Sequence, residues 1–308
     1  MTIRKHSQNT VTRSEFTCVR DGLVIRGTQL RPVGVKLPAV ILSHGFNGNR
    51  KGVLKYAEVV ARWGYTAFCF DFCGGGPDAE SDGQTYDMTV FSEKEDLKAV
   101  LQYVKSLAYI DSSRIILMGF SQGGFVSALA AAELPEQVAK LVLFYPALCI
   151  PDDARRGRMM QASFSPEHIP DLIPCGSMVL GHDYPALVLG MEPFREVCTY
   201  PGPTLILHGT EDTLVPPSYS RRAAERYPDC QLLLITGAGH QFNHSQNTVA
   251  LKAVWRFLSG KRKLLAEVRS THLIHQNRLN LCYVADPGTP AKNLRHFLKK
   301  TLAKILPI

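Results

Sequence analysis

The stretch SSRIILMGFSQGG at residues 112–124 decides the fold of this chain. It begins with a continuous apolar run, passes through the motif GFSQG at 119–123 and continues into the small residues SALAAA. A strand, a sharp turn and a helix in this order form the context that a G-x-S-x-G nucleophile elbow requires. Glycines flank the serine because its backbone is strained in such a turn and larger neighbours would clash. Without this context, the five-residue pattern would suit a structural turn of small residues equally well.

Apolar runs on both sides of this stretch are continuous, which is typical of parallel strands buried on both faces. Together with the run at 112–119, these apolar runs cover residues 38–43, 65–71, 139–145, 203–208 and 231–236. Helical patterns lie between them, at about 52–63, 91–107, 121–133, 217–227 and 245–259. This alternation predicts an α/β fold with a mostly parallel central sheet flanked by helices and wound by right-handed crossovers. The first 30 residues predict an antiparallel hairpin at the sheet edge, turning at Asp21-Gly22.

Two segments break the alternation of strands and helices. Residues 148–200 are rich in Pro, Asp, Met and Arg and show no clear period. A structureless loop of this length is improbable in a compact domain, so we expect an inserted subdomain. The composition changes again at 261–308. The predicted organisation is a core of 1–147 and 201–260, an insertion at 148–200 and a basic C-terminal extension at 261–308.

The net charge of +8 belongs to the extension. The chain has 308 residues, of which 45% are hydrophobic, so disordered and collagen-like classes are excluded. Residues 261–308 hold ten Lys or Arg and two acidic residues, so the first 260 residues hold 25 of each sign. The main body therefore has no basic excess that would favour nucleic acid as a partner.

The sequence predicts a reduced, cytoplasmic protein. The N-terminus has no apolar run of signal-peptide length, and no apolar stretch is long enough to cross a membrane. The eight cysteines form no CxxC pair, and several lie inside apolar runs. We therefore expect buried thiols rather than a disulfide framework.

A serine nucleophile needs a base, and the base needs an acid that orients it. Downstream of Ser121, the strand in PTLILHGTEDTLVP is followed by Asp212, and the strand in QLLLITGAGHQFNH is followed by His240. Both lie just past the carboxyl ends of strands, where α/β sheets bind ligands. Taken singly, the aspartate suits a helix cap and the histidine a solvated loop. Their joint occurrence favours a Ser121–His240–Asp212 triad, with Glu211 and His244 as the nearest alternatives.

Acyl transfer also needs donors for the developing oxyanion. The strand at 38–43 runs into the glycine-rich turn HGFNGN at 44–49, which can direct a backbone N–H at the site. The expected pair is the amide of Phe46 and the amide of Gln122, the residue after the nucleophile. His44 is a possible third catalytic histidine, but we expect it to support the turn.

The pieces HGFNGN, GFSQGG, HGTEDTLVP and GAGH resemble the α/β-hydrolase superfamily and, more narrowly, bacterial cinnamoyl (feruloyl) esterases. DMTVFSEKEDLKAVLQYVKS and FSPEHIPD are further matches, and the resemblance covers about residues 15–260. It implies an α/β-hydrolase fold, the triad Ser121, Asp212 and His240, and oxyanion amides at Phe46 and Gln122. It implies no metal or organic cofactor.

The resemblance also implies that 148–200 is a lid over an aromatic acyl pocket. An early lid aspartate that contacts ring hydroxyls in the family aligns with Asp153, and the adjacent Asp152 leaves that assignment open. The chain departs from the family in its loop Cys73-Gly74-Gly75-Gly76 and in Arg155, Arg156, Arg158, Met159 and Met160. These departures bear on the preferred substrate more than on the chemistry.

The expected function is a serine carboxylesterase that hydrolyses small hydroxycinnamate (feruloyl-type) esters through an acyl-enzyme. A serine at the elbow argues against dehalogenase and dienelactone-hydrolase chemistry, which use Asp and Cys there in this superfamily. A short-chain acyl esterase or acyl-peptidase with the same triad is an alternative. A non-catalytic binding or scaffold protein is an alternative from another class.

The extension predicts an amphipathic basic helix. Six apolar residues between Leu294 and Leu306 repeat at helical spacing, and basic residues occupy most of the positions between them. We expect it to pack on the domain or to be a dispensable extension. A homodimer or partner contact and a contact with an anionic membrane surface are alternatives. We expect a small aromatic ester as the substrate, no nucleic acid and no stable membrane insertion.

Overall fold

A computed structural model describes residues 10–260 and the backbone of 281–285. The strands in these residues are β1 Val11–Arg20, β2 Leu23–Pro32, β3 Leu37–Ser43, β4 Thr66–Phe70, β5 Ile110–Phe120, β6 Lys140–Phe144, β7 Arg158–Met159, β8 Ala162–Ser163, β9 Leu172–Cys175, β10 Met178–Gly181, β11 Thr204–Gly209, β12 Cys230–Ile235 and β13 Leu281–Ala285. The α-helices are α1 Arg50–Arg62, α2 Val90–Ser106, α3 Gln122–Glu133, α4 Ile150–Arg155, α5 Asp183–Val188, α6 Pro193–Val197, α7 Pro217–Arg226 and α8 His244–Leu258.

The central sheet has nine strands in the order β1-β2-β4-β3-β5-β6-β11-β12-β13. From β4 to β13 all neighbouring strands are parallel, whereas β1 pairs antiparallel with β2 and β2 antiparallel with β4. The predicted edge hairpin turns at Asp21 and Gly22, whose φ angles are 49° and 84°. Both the mostly parallel sheet and the hairpin are confirmed.

The parallel strands are continuously apolar because both faces of the sheet are covered. Successive residues of β3 alternate between two hydrophobic clusters, with Ile41 in one and Val40 in the other. Helices α2, α3 and α7 pack in the first cluster, and α1 and α8 pack in the second. The sheet thus forms the middle layer of three, with its carboxyl edge free for the loops that carry polar residues.

The chain between β6 and β11 has short elements of its own. It contains the helices α4, α5 and α6 and two small antiparallel hairpins, β7–β8 and β9–β10. Asn47, in the turn after β3, donates from Nδ2 to Ser177 Oγ in the β9–β10 hairpin at 2.9 Å. We call this part of the chain, residues 148–200, the inserted segment.

The last described strand departs from the predicted organisation. The division of the sequence leaves all of 261–308 outside the core, whereas β13 pairs parallel with β12 at the edge of the sheet. A single apolar run of five residues has no period that distinguishes a strand from a loop. The predicted helix at 294–306 lies outside the described residues. Within residues 10–260, no helix has both the length and the apolar character needed to span a bilayer.

Candidate active site

Ser121 lies in a strained turn between β5 and α3. Its φ of 53° falls in the left-handed region, which non-glycine residues rarely adopt. A Cβ on Gly119 would lie 2.2 Å from Gly123 O, and one on Gly123 would lie 2.1 Å from His44 O. Glycine is therefore required on both sides of the serine. The Ser121 N–H donates to Phe144 O of β6 at 2.9 Å, which fixes the turn on the sheet edge.

The loops after β5, β11 and β12 bring three polar side chains together. Ser121 Oγ lies 2.9 Å from His240 Nε2, and His240 Nδ1 lies 2.7 Å from Asp212 Oδ2. A carboxylate only accepts hydrogen bonds, so Nδ1 carries the proton and Nε2 can accept from the serine. The two alternatives lie elsewhere: Glu211 is exposed, and His244 is the exposed first residue of α8.

The Asp212 carboxylate is buried and accepts four hydrogen bonds. Its Oδ1 accepts from the N–H groups of Leu214 and Val215 at 3.0 and 2.9 Å, and its Oδ2 accepts from His208 as well as His240. Burial alone would raise the pKa of Asp212, but the hydrogen bonds from both histidines and from Val215 lower it well below its usual range. The group is therefore a carboxylate that holds the imidazole of His240 in one orientation.

His208 is a site residue that the sequence reasoning missed. It is the fifth residue of β11 and fully buried, and its Nε2 lies 3.1 Å from Asp212 Oδ2 and 2.9 Å from Val215 O. Both partners are acceptors, so Nε2 carries a proton, while Nδ1 lies 2.6 Å from Ser220 Oγ. The available signal was a histidine that ends an apolar buried strand four residues before the predicted acid.

The amides of Phe46 and Gln122 are the two predicted oxyanion donors. Among residues 10–260, neither N–H has a hydrogen-bond partner, although both residues border the cavity that contains Ser121. The turn after β3 approaches the nucleophile closely, since a Cβ on Gly45 would lie 3.1 Å from Ser121 Cβ. Two free N–H groups beside a nucleophile can stabilise a developing negative charge.

His44 supports the turn. Its Nε2 accepts from the Phe72 N–H at 3.1 Å, so the proton lies on Nδ1, which donates to Gly45 O at 2.8 Å. Burial lowers the pKa of His44 and keeps the ring neutral. Both ring nitrogens are thus engaged in backbone contacts.

The side chain of Gln122 is held by two buried groups. Its Nε2 donates to Glu93 Oε2 of α2 at 2.8 Å, and its Oε1 accepts from the Tyr184 hydroxyl of the inserted segment. Tyr184 also contacts the ring of Phe46, with the centroids 6.4 Å apart. Burial raises the pKa of Glu93 well above its ordinary value, which favours the neutral form of this carboxyl group. The network fixes the side chain of the residue that follows Ser121.

Two cavities meet at Ser121. The smaller has a volume of about 260 Å³ and is bordered by Phe46 and Gln122 together with apolar side chains and charged residues of the inserted segment. The larger has a volume of about 590 Å³ and is bordered by His240 and the turn after β3. His240 borders only the larger of these two cavities. Ser121 therefore borders two chemically different spaces.

Asp153, rather than Asp152, borders the smaller cavity. Asp152 forms a salt bridge with Arg155 at 2.5 Å and accepts from the Tyr219 hydroxyl. Asp153 Oδ1 lies 3.4 Å from Arg156 Nη1, and burial raises the pKa of Asp153 above its ordinary value. A hydrogen bond with Cys149 and the charges of Arg156 and Arg158 also act on the Asp153 carboxylate and oppose this rise.

Comparisons with known proteins agree with this architecture. Residues 25–167 match the model of the dienelactone hydrolase family, and residues 191–263 match that of TAP-like proteins. Est1E from Butyrivibrio proteoclasticus, solved with ferulic acid bound, is 30% identical and superposes with a TM-score of 0.74. That match covers 80% of this chain and 98% of Est1E.

Matches to curated sequences are shorter. The quorum-quenching protein AidA from Acinetobacter baumannii is 36% identical over 100 residues, which is 32% of this chain and 32% of AidA. The thiohydrolase apmlB from Arthrinium phaeospermum is 34% identical over 131 residues, covering 41% of this chain and 40% of apmlB. The chain thus spans about a third to two-fifths of the length of these relatives.

Proposed function

The chain belongs to the α/β-hydrolase superfamily and resembles feruloyl esterases, and we propose that it is a serine carboxylesterase acting on hydroxycinnamate (feruloyl-type) esters. The observation that carries this proposal is the continuous contact from Ser121 Oγ through His240 to Asp212, at 2.9 and 2.7 Å. The likeness to Est1E, solved with ferulic acid bound, supports the aromatic acyl group.

In the first half of the reaction, Ser121 Oγ attacks the ester carbonyl carbon while its proton passes to His240 Nε2. The carbonyl π electrons move to oxygen, and the N–H groups of Phe46 and Gln122 donate to that oxyanion. Asp212 stabilises the imidazolium through Nδ1. When the tetrahedral intermediate collapses, the ester C–O bond breaks and the leaving alcohol takes the proton from Nε2.

In the second half, water replaces the alcohol. His240 Nε2 accepts a proton from water as its oxygen attacks the acyl carbon, and the same two amides stabilise the second oxyanion. Collapse breaks the bond to Ser121 Oγ, which recovers its proton from His240. The products are one carboxylic acid and one alcohol, and the enzyme returns to its starting state.

The two cavities then have different roles. The leaving alcohol must receive its proton from His240 Nε2, so it belongs in the larger cavity, which His240 borders. The acyl group belongs in the smaller cavity, beside the two oxyanion amides and the inserted segment. There Asp153 can accept a hydrogen bond from a ring hydroxyl, and the inserted segment acts as a lid that covers the acyl group.

Hydrolysis of methyl ferulate compared with p-nitrophenyl butyrate tests this proposal. We expect turnover of both esters, a higher kcat/KM for the ferulate ester, and a loss of about 10⁴- to 10⁶-fold in kcat in Ser121→Ala. Negligible turnover of methyl ferulate beside good turnover of the butyrate would favour a short-chain acyl esterase. Full activity in Ser121→Ala would reject the mechanism, and absence of any hydrolase activity would favour a binding protein.

A further inference from the structure

The wall that the inserted segment contributes to the smaller cavity carries an unbalanced positive charge. Five charged residues lie close together in the sequence from 152 to 158. Asp152 forms a salt bridge with Arg155, and Asp153 forms one with Arg156. Each aspartate thus has a salt bridge to its own arginine, and the charge of Arg158 also acts on Asp153, so three arginines stand against two aspartates. Asp153, Arg156 and Arg158 all border the cavity that contains Ser121.

The backbone of Arg158 is held in the β7–β8 hairpin. Arg158 begins β7, where it pairs with Ser163 of β8, and its neighbour Met159 is buried. Within residues 10–260, the Arg158 guanidinium forms no salt bridge and no side-chain hydrogen bond, and the residue is exposed. A planar guanidinium offers donors that match a carboxylate. The charge of Arg158 acts on Asp153 from beyond salt-bridge distance, so its donors are not used in a salt bridge.

The rest of the cavity wall suits an apolar body. Ile150, Met159, Leu180, Leu214 and Val215 contribute aliphatic or thioether surface between the nucleophile and the charged residues. An acyl group in this space would pack its hydrocarbon part against these side chains. Its far end would then meet either the carboxylate of Asp153 or the exposed guanidinium of Arg158.

We propose that the smaller cavity accepts acyl groups that end in a carboxylate, with Arg158 as the residue that binds the terminal anion. The inference rests on the proposed function, because it takes this cavity as the acyl site. The substrates are monoesters of dicarboxylic acids with an apolar body. A ring hydroxyl uses Asp153 and a terminal carboxylate uses Arg158, so the same pocket takes both.

Three methyl esters that differ only in the para substituent test the proposal: methyl cinnamate, methyl 4-hydroxycinnamate and methyl 4-carboxycinnamate. We expect Arg158→Ala to lower kcat/KM for the carboxy ester by about fivefold, a modest factor because the guanidinium is exposed. The other two esters should change by less than about twofold. Arg221→Ala is the matched control, since it removes an exposed arginine of α7 that does not border the cavity.

The salt dependence of kcat/KM provides a second readout, because a role of Arg158 in packing alone would not depend on ionic strength. Coulomb attraction between exposed groups is screened as ionic strength rises. The ratio of kcat/KM between wild type and Arg158→Ala on the carboxy ester should therefore decrease between about 0.02 M and about 0.5 M NaCl. The same ratio of kcat/KM measured on methyl cinnamate should stay constant over this range of salt concentration.

Binding separates this inference from the proposed function. Calorimetry compares the affinity of Ser121→Ala and of Ser121→Ala/Arg158→Ala for methyl 4-carboxycinnamate, without any turnover. We expect about fivefold weaker binding in the double variant and equal binding of methyl cinnamate. Equal affinities for the carboxy ester, or equal losses on all three esters, would overturn the role of Arg158. If binding of the carboxy ester depends on Arg158 but no ester is hydrolysed, the proposed function is rejected and the role of Arg158 in binding is not.

Discussion

The loops after the parallel strands and the inserted segment meet at Ser121, and they hold their charged groups in opposite ways. Asp212, in a core loop, is buried and accepts four hydrogen bonds. Asp153, in the inserted segment, has a side chain 36% exposed and a single salt bridge at 3.4 Å. Arg158 is exposed, and its charge acts on Asp153 without a salt bridge among residues 10–260. Under the proposed function, the core fixes the reacting groups, whereas the inserted segment leaves charges available to a substrate.

This contrast explains how one site could keep its chemistry while its substrates change. A group fixed by several hydrogen bonds to backbone and buried side chains holds the geometry that catalysis needs. An exposed charge gives selectivity worth only a small factor, and its replacement does not disturb the fold. We therefore expect large effects from the core loops and small, substrate-dependent effects from the inserted segment.

The largest expected effect comes from Asp212→Asn. The amide retains the shape but cannot stabilise the imidazolium and favours the wrong tautomer of His240, so kcat should fall by about 10⁴-fold with every ester. Steady-state kinetics on methyl ferulate measures this loss. The control is Glu211→Gln, the same change one residue earlier on an exposed side chain, and it should retain wild-type kcat. A comparable loss in both variants would contradict the assignment of Asp212.

An intermediate effect is expected at His208, which acts on the reaction through Asp212. In His208→Ala the Oδ2 atom loses one of its two donors, and we expect kcat to fall about tenfold with KM unchanged. His208→Gln, whose amide can donate to Asp212, should recover part of the loss. His244→Ala is the control on an exposed histidine and should leave kcat unchanged. A change confined to KM would show that His208 does not position the acid.

On the side of the inserted segment, Asp153→Ala should change selectivity rather than chemistry. We expect kcat/KM for methyl 4-hydroxycinnamate to fall about fivefold, because its hydroxyl loses an acceptor, and methyl cinnamate to change little. The two esters are compared on the same enzyme preparation, with Asp171→Ala as the control for loss of an acidic residue of this segment outside the cavity. Equal losses on both esters would remove Asp153 from substrate recognition.

The smallest effect concerns Glu93, where the core and the inserted segment share hydrogen bonds through Gln122 and Tyr184. The pKa of this carboxyl group is raised by burial above its ordinary value of 4.5, so the folded state holds a proton that the unfolded chain loses. Stability from this group is present below pH 4.5 and declines as the pH rises through the raised pKa. The side chain introduced in Glu93→Gln does not titrate, so this variant lacks the pH-dependent contribution to stability.

We therefore expect the Tm of Glu93→Gln to match wild type near pH 4 and to exceed it by about 1–3 °C at pH 8. Thermal unfolding at several pH values measures the difference. Glu95→Gln, on the same helix but exposed to solvent at its carboxylate, is the control and should show no such trend. A Tm difference that does not grow with pH would contradict the raised pKa of Glu93.

The core of the fold could be predicted from the sequence because its signals are local. The run before Ser121 is continuous and apolar, and the glycines at 119 and 123 are required by contacts within the same turn. Asp212 and His240 each follow an apolar run directly, so their meeting at one sheet edge follows from the parallel arrangement. These residues were found where the structure brings them together.

The remaining features depend on contacts between distant parts of the chain. The bond of Tyr184 to Gln122 joins residues 62 positions apart, and no local pattern marks either as its partner. His208 looks like the end of a strand until its contact with Asp212 is known. The inserted segment has short elements without a period, and β13 is a single run of five residues, so neither could be derived from periodicity.

The central claim is that Ser121 is the nucleophile of an esterase, and active-site labelling with a fluorophosphonate tests it most directly. Intact-protein mass spectrometry should show one adduct per chain, located in the peptide that contains Ser121 and absent from Ser121→Ala. Hydrolysis of methyl ferulate should fall in proportion to the labelled fraction. An adduct on another residue, or full hydrolysis by the labelled protein, would contradict the account.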